Sequence, residues 1–345
     1  MAEIQLRNVS KRFGDIAAVD DISIDVADGE FVVLLGPSGA GKTTTLRLIA
    51  GLERPDAGDV LIDGAIATGM HPSDRDVAFI FQQYSLYPHL TVFGNLAFPL
   101  RSPRRRSSEA DVRARVHAVA EMLHMEAKLD NMATHLSGGE MQRVAIGRAL
   151  VRQPKAFLMD EPLSSLDAKL REELRIELKR LHRTIGATIV YVTHDQVEAT
   201  TLADRIGILD HGRLVQLGTP REVYGNPVSL SAAQRLGSPP INLLPPTLFD
   251  SAHMPAGTAT VGIRPEDIVL HDPAEGHASG AQDALDLTVL EYSPLRHLLI
   301  LDRAGTAVVA TTVTERSFSP GQRVGVSLPP RSLLYFHADG RRIPT

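Results

Sequence analysis

Phe31-Val-Val-Leu-Leu35-Gly36-Pro-Ser-Gly-Ala-Gly-Lys42-Thr43 sets the architecture of the first two-thirds of the chain. Five consecutive apolar residues with no polar position among them read as a strand buried on both faces. The residues after it fit G-x-x-x-x-G-K-[ST], and Thr44 to Ala50 reads as a helix, so the motif has the strand-before, helix-after context that a phosphate-cradling loop requires. Gly39 and Gly41 let the backbone curl until successive N–H groups converge on a polyphosphate. Gly36, Ser38 and Thr44 complete the candidate cradle, Lys42 reaches the terminal phosphates and Thr43 can ligate Mg²⁺.

Alternation at Ile4, Leu6 and Val9, and again at Ile22, Ile24 and Val26, predicts short strands upstream. Downstream, the runs Val77 to Phe81, Ala156 to Met159 and Thr188 to Val192 are continuous, as a largely parallel sheet covered on both faces by helices demands. Val112, Val116, Val119 and Leu123, and Leu170, Leu174, Leu178 and Leu181, recur at spacings of three and four and predict one-sided helices packed on a core.

A phosphate loop needs a carboxylate for its metal. Ala156-Phe-Leu-Met-Asp160-Glu161 ends an apolar strand with one: Asp160 can hold Mg²⁺ through water, and Glu161 can polarise an attacking water. Leu136-Ser137-Gly138-Gly139-Glu140 precedes the helical run Gln142 to Val151. Ser137 stands at the expected N-cap and the glycines permit close backbone approach to an anion, although cap chemistry alone describes an ordinary helix equally well. Taken singly, Gln82 reads as a surface amide, His194 as a satisfied histidine and Phe13 as core.

With 345 residues and 43% apolar content, the chain supports about two domains with cores of their own and is neither a disordered tail nor a disulfide mini-protein. The absence of cysteine removes disulfides, thiolate nucleophiles and Cys-based metal sites, and fits a reducing cytosol. A formal net charge of -5 supplies no basic field, so no nucleic-acid partner is expected. No apolar run approaches the ~20 residues of a spanning helix. The opening Met-Ala-Glu-Ile-Gln-Leu lacks the basic-then-apolar order of a signal peptide, so a cytoplasmic location is expected. Arg104-Arg105-Arg106 reads as a solvated loop.

Near Leu236 the composition changes. Gly237-Ser238-Pro239-Pro240 and Pro245-Pro246 break any helix, and strand-like segments follow around Thr260 to Ile263, Leu285 to Leu290, Leu298 to Leu301 and Val324 to Leu328. Residues 236–345 therefore read as a second, β-rich domain, a small barrel or pair of barrels, with His271 to Asp283 as a surface loop.

Gly36 to Thr43, Gln82, Leu136 to Glu140, Asp160-Glu161, Ser165-Leu166-Asp167 and His194, in this order and at these separations, resemble the nucleotide-binding subunit of ATP-binding cassette (ABC) transporters. The resemblance implies an α/β P-loop ATPase domain over 1–235, with a helical subdomain at about 85–155, followed by the all-β domain. It implies ATP and Mg²⁺ as cofactors. Phe13 would stack on adenine, and Thr43, Gln82 and Asp160 would serve the metal. Lys42, Gln82, Glu161 and His194 would act at the γ-phosphate, with Gln82 linking it to membrane subunits. Ser137 and Gly139 would contact ATP held by the opposite protomer, and Asp167 would lie at the dimer interface.

Tyr84-Ser-Leu-Tyr-Pro-His-Leu-Thr-Val92, Asp167-Ala-Lys-Leu-Arg171, Gly237-Ser-Pro-Pro-Ile-Asn242 and Gly262-Ile-Arg-Pro-Glu266 are similar to one subclass, the ATPases of bacterial carbohydrate importers of the maltose and glycerol-phosphate type. That implies an oligosaccharide-binding-like C-terminal barrel domain that supports dimerisation and regulation. The implied partners are a second copy or a paralogous ATPase, two transmembrane permease subunits and, indirectly, a periplasmic or lipid-anchored solute-binding protein. The implied place is the cytoplasmic face of the inner membrane, as a peripheral subunit. Polyamine, iron or sulfate importers use similar cassettes. Soluble cassette ATPases acting on DNA or ribosomes usually carry a coiled-coil insertion or a second cassette, whereas here Thr43 and Ser137 are only 94 positions apart. Glu140 and Ser165 stand where the subclass usually has Gln and often has Asn, and the turn Glu291 to His297 departs from its pattern.

Overall fold

Buried strands that run parallel need long crossovers, and the chain supplies helices for them. In the computed structural model, residues 2–102, 107–249, 254–272, 284–303, 305–312 and 317–344 are described. The Arg104–Arg106 run and positions 273–283 of the expected loop lie outside them. Two compact units divide after Pro220.

The first unit opens with β1 (Ile4–Phe13) and β2 (Ile16–Val26), an antiparallel pair, then β3 (Phe31–Leu35), α1 (Lys42–Ala50), β4 (Ala57–Ile62) and β5 (Ala65–Ile66). It continues through β6 (Val77–Ile80), α2 (Val92–Ala97), α3 (Glu109–Met122), α4 (Gly138–Leu150), β7 (Ala156–Asp160) and α5 (Ala168–Ile185). The closing elements are β8 (Thr188–Thr193), α6 (Gln196–Leu202), β9 (Arg205–Asp210) and β10 (Arg213–Gly218). Strands β2-β1-β4-β5 make one antiparallel sheet; the central sheet runs β10-β9-β3-β8-β7-β6, parallel from β9 to β6. Every residue of β3, β7 and β8 is buried, as continuous apolar runs require.

A single core joins Ile4, Leu6 and Ile22 of the antiparallel sheet, Leu46 and Ile49 of α1, and Leu34, Leu158 and Val190 of the central sheet. At roughly 2 kcal/mol for each fully buried aliphatic side chain, this packing fixes α1 and the loop ahead of it. Helices α2, α3 and α4 pack on one another between β6 and β7. Helix α5 buries Leu174, Leu178 and Leu181, is capped by Asp167 and stops at Gly186 in the left-handed region. Both spacing-predicted helices form, and α4 starts at Gly138, one turn before the apolar pattern suggested, because its cap chemistry lies ahead of its apolar face.

Helix α7 (Pro220–Gly225) begins at the boundary, and the second unit continues through α8 (Leu230–Arg235), β11 (Asn242–Leu244), β12 (Thr260–Ile263), β13 (Val269–His271), β14 (Ala284–Ser293), β15 (Leu298–Arg303), β16 (Thr306–Thr311), β17 (Arg323–Ser327), β18 (Leu334–Phe336) and β19 (Arg342–Ile343). Two antiparallel sheets, β11-β12-β18-β19 and β13-β17-β14-β15-β16, share a core of Val261, Leu287, Val289, Leu299, Leu301 and Val326. The expected barrel-type, oligosaccharide-binding-like domain is thus present as a curled half-barrel of antiparallel sheet. The Asn242 side chain imitates a strand, donating to Val309 O at 2.8 Å and accepting from Val309 N at 2.7 Å, and so fastens one sheet to the other.

The C-terminal end of α1 depends on one buried cation. Arg75 donates to Leu48 O at 2.8 Å and Ile49 O at 2.9 Å in the last turn of α1, and to Thr68 O at 3.2 Å and Met70 O at 3.3 Å in the segment after β5, tying the two together. A Cβ on Gly51 would strike the Arg75 guanidinium, so this cap needs glycine for space as well as for its φ of 75°. Arg75→Ala should lower the stability of the first unit by about 3 kcal/mol, because it strands several buried acceptors at once. Arg75→Lys should recover only part of that, since an ammonium cannot reach four carbonyls as a planar fork does. Urea unfolding followed by tryptophan-independent far-UV signal measures both.

Candidate functional site

Three adjacent parallel strands end side by side. Leu35 of β3 is paired with Thr193 of β8, and Asp160 of β7 with Val192, so the loops that leave β3, β7 and β8 share one crevice at their C-terminal ends.

From β3, the chain enters the glycine loop. Gly41 has φ 94° and caps α1. A Cβ on it would run into the carbonyl oxygen of Ala18, just as one on Gly36 would strike that of Leu209, so close backbone approach on both flanks dictates glycine. Ser38 is exposed and Gly39, with φ 80°, has open space where a Cβ would lie. Lys42 is only 5% exposed, and its Nζ donates to Gly36 O and Pro37 O, both at 2.9 Å. Thr43 Oγ1 donates to Asp160 Oδ1 at 2.8 Å. Thr44 follows, half-buried in the first turn of α1.

Asp160 closes β7 and is itself buried. Burial pushes its carboxyl above the ordinary value, against the bond from Thr43 and with the help of the Glu161 charge. A buried carboxylate whose charge is disfavoured by burial, in contact with a hydroxyl, is a pair of hard oxygen donors suited to a small divalent cation, whose charge would offset that cost. The residues present therefore fit Mg²⁺.

Glu161 has φ 44°, the left-handed region in which a non-glycine residue is held by its surroundings. Its N–H donates to Val192 O at 3.0 Å, its Oε1 is 3.9 Å from Lys42 Nζ, and its Oε2 is 3.0 Å from His194 Nδ1. His194 follows β8 with a side chain 60% exposed. The sequence reading of an ordinary satisfied histidine is thereby replaced by a carboxylate-bound, solvent-facing ring. Gln82 is also exposed, and its Nε2 donates to Ser164 Oγ at 3.4 Å; that hydroxyl in turn donates to Glu161 O at 2.8 Å.

The other expected residues stand apart from this cluster. Phe13 ends β1 and is 47% exposed, with Lys11 Nζ 5.4 Å from its ring centroid. A reading of Phe13 as core is incorrect: the hairpin turn at Gly14 places it beyond the packed part of the sheet. Ser137 caps α4 and exchanges bonds with Glu140, whose Oε2 accepts from Ser137 N at 2.8 Å and from Ser137 Oγ at 3.0 Å. The Ser137 N–H and Lys128 Nζ, 3.3 Å from Oε1, hold the Glu140 carboxyl below its ordinary value. Gly139 lies on the buried side, where a Cβ would crowd Leu170. Asp167 caps α5 through Leu170 N at 3.0 Å. Tyr84, Leu86, Tyr87 and Phe93 are half-buried. Sequence reasoning missed Arg148, which donates to Ser85 O at 2.5 Å and lies 5.5 Å from the Tyr87 ring centroid; no local pattern announces a contact across 63 residues.

The family model for the ABC transporter domain matches residues 19–164. The sn-glycerol-3-phosphate import ATP-binding protein of Rhizobium meliloti is 50% identical over 80% of this chain and 81% of that protein. The xylose/arabinose import ATP-binding protein of Haloferax volcanii is 43% identical over 98% of this chain and 94% of its own. Among solved structures, the dimeric post-hydrolysis state of the ATP-binding cassette MJ0796 bound to ADP and Pi is 35% identical, with a TM-score of 0.56, covering 63% of this chain and 98% of that one.

The helix behind His194 carries a buried acid. Tyr191 Oη donates to Glu198 Oε2 at 2.8 Å; Glu198 is 2% exposed, and burial raises its carboxyl above the ordinary 4.5. The folded state therefore binds this proton more tightly than the unfolded one. The associated stability is complete below pH 4.5 and is lost as the pH rises through the raised value. Glu198→Gln keeps an acceptor for Tyr191 and removes the titration. It should melt roughly 2 °C above the parent at pH 8, with the gap closing by pH 4, as read by thermal unfolding across that range.

Proposed function

We infer the role of this chain from a premise now in hand: it belongs to the ABC transporter family, as an ATP-binding import subunit. It hydrolyses ATP to energise an importer for a sugar or glycerol-phosphate-like solute, the cargo class named for its relatives. The observation that carries this reading is the meeting of Lys42, the Thr43–Asp160 pair and the Glu161–His194 pair at the ends of three neighbouring strands.

Two copies close head to tail on two ATP molecules, in keeping with the dimeric cassette it resembles. Each site takes the phosphate loop, Asp160, Glu161 and His194 from one chain and Ser137 and Gly139 from the other. Phe13, already exposed at a hairpin end, stacks on adenine. Gly36, Ser38, Gly39, Gly41 and Thr44 shape the cradle, and Asp167 lies at the dimer contact. Thr43, Asp160 and Gln82 would hold a magnesium ion, which would supply positive charge against the polyphosphate. Glu161 accepts a proton from the attacking water while His194, bonded to its other oxygen, keeps the carboxylate turned toward the crevice. Lys42 and the signature amides take up the charge that spreads over the γ-phosphoryl group.

Among the described residues no helix is long and apolar enough to cross a membrane. The chain works as a peripheral subunit, on the cytoplasmic side, beneath two permease subunits that are served in turn by a solute-binding protein. A cavity of about 420 Å³ lined by Gln82, Tyr84, Leu86, Pro88, Met141 and Ser165 is where a permease segment docks.

Glu161→Gln preserves shape and should leave ATP binding intact while lowering turnover by roughly two to four decades, the range of general-base effects. Steady-state phosphate release measures it, and near-normal turnover would remove Glu161 from this role. In that background, Ser137→Arg should still bind ATP, since Lys42 and Thr43 are untouched, yet fail to give the ATP-dependent dimer on size exclusion. Lys42→Ala should weaken binding itself. If Ser137→Arg lost monomer affinity as badly as Lys42→Ala, the signature would act within one chain and the composite site would be wrong.

A further inference from the structure

The loops that this mechanism requires to move together converge on one hydroxyl. Tyr84, two residues past Gln82, lies half-buried against Leu163, Leu166, Leu170 and Leu174. Its Oη is 3.1 Å from Ser165 Oγ, on the loop that leads to Asp167. A Cβ on Gly138 would be 3.3 Å from the same Oη and 3.4 Å from Leu166 Cδ2, so the first turn of α4 passes close to this hydroxyl.

The backbone of the same residue is held from the far end of α4. Arg148 donates to Tyr84 O at 3.3 Å as well as to Ser85 O. Helix α4 thus grips Tyr84 at the carbonyl through Arg148 and abuts it at the hydroxyl through Gly138, while the hydroxyl itself is bonded to the third element. A phenol ring is a stiff strut with two torsions, so displacement of any one of these elements is passed on rather than absorbed. Gln142, one turn along α4 from Gly138 on the same face, is fully buried with neither amide atom hydrogen bonded. Such groups are costly, and a shift of α4 against the neighbouring loops can pair them.

We propose that Tyr84 is a positioning residue whose hydroxyl, through Ser165, locks the Gln82 segment and the signature helix α4 to the Asp167 loop, so that the permease-side cavity and the composite ATP site change together. This rests on the ATPase reading above and adds to it a residue and a bond. Serine at position 165 is what allows a hydroxyl-to-hydroxyl bond at this place.

The test is a double-mutant cycle on the full-length chain, with Tyr84→Phe, Ser165→Ala and the two combined, in steady-state ATP hydrolysis. Each single variant should lower kcat by about three- to tenfold, the worth of one hydrogen bond, with KM for ATP within about twofold of the parent. The double variant should be no slower than the slower single, and Ser165→Thr, which keeps the hydroxyl, should restore kcat. Melting temperatures within about 2 °C of the parent exclude a general loss of packing. Multiplying losses in the double variant, unchanged kcat in the singles, or a raised KM with kcat intact would each overturn the proposal. Parent hydrolysis that survives Lys42→Ala would reject the ATPase reading itself, a result separable from every outcome of the cycle.

Discussion

The parallel register of β3, β8 and β7 is the constraint on which everything else in the first unit depends. Leu35 sits opposite Thr193, and Asp160 opposite Val192. The next residues along the three strands are therefore Gly36, His194 and Glu161, and hydrogen bonding alone brings them to one edge. The bond from Glu161 N to Val192 O extends the ladder one residue past β7 and fixes the left-handed backbone from which the carboxylate reaches both Lys42 and His194. Because all three strands are buried on both faces, a slipped register would break packing on each side and separate these groups by a residue spacing of about 3.3 Å.

Charge balance in the crevice follows from that geometry. Asp160, Glu161 and the buried Glu198 put three carboxyl groups around the end of the sheet, and burial raises two of them above their ordinary values. Lys42 is the buried cation among them, folded onto two loop carbonyls. Such a site gains from binding an anion and a divalent cation together more than from either alone, since each offsets charge the other leaves uncompensated. The glycine loop offers backbone dipoles to an anion, and the Thr43–Asp160 pair offers hard oxygens to a cation.

Legibility in the sequence divides along the range of the interaction. The phosphate loop, the Asp160–Glu161 strand end, the Ser137 cap and the helices of spacing three and four are local patterns, and they stand where the residues put them. The β-rich second unit was legible from its breakers and short apolar runs. What was not legible is contact between distant segments. Nothing near Phe13 shows that its ring projects from a hairpin end, nothing near His194 names Glu161 as its partner, and nothing near Tyr84 names Ser165, 81 residues away. Arg75 is the same case in the core: its sequence neighbours are polar, and only the folded chain reveals four carbonyls around it.

Glu140 shows how a departure from a family pattern can be absorbed locally. A glutamate in the first turn of α4 satisfies the Ser137 N–H and gains from the helix dipole, which stabilises the cap more than a neutral amide would. It also brings a negative charge to the N-terminal end of α4. Lys128, 3.3 Å from the other carboxylate oxygen, offsets that charge from the outer side. Both Glu140 oxygens are thereby engaged, one by Ser137 and the other by Lys128. Glutamate here stabilises the start of α4 through the cap, and Lys128 beside it limits the negative charge it adds.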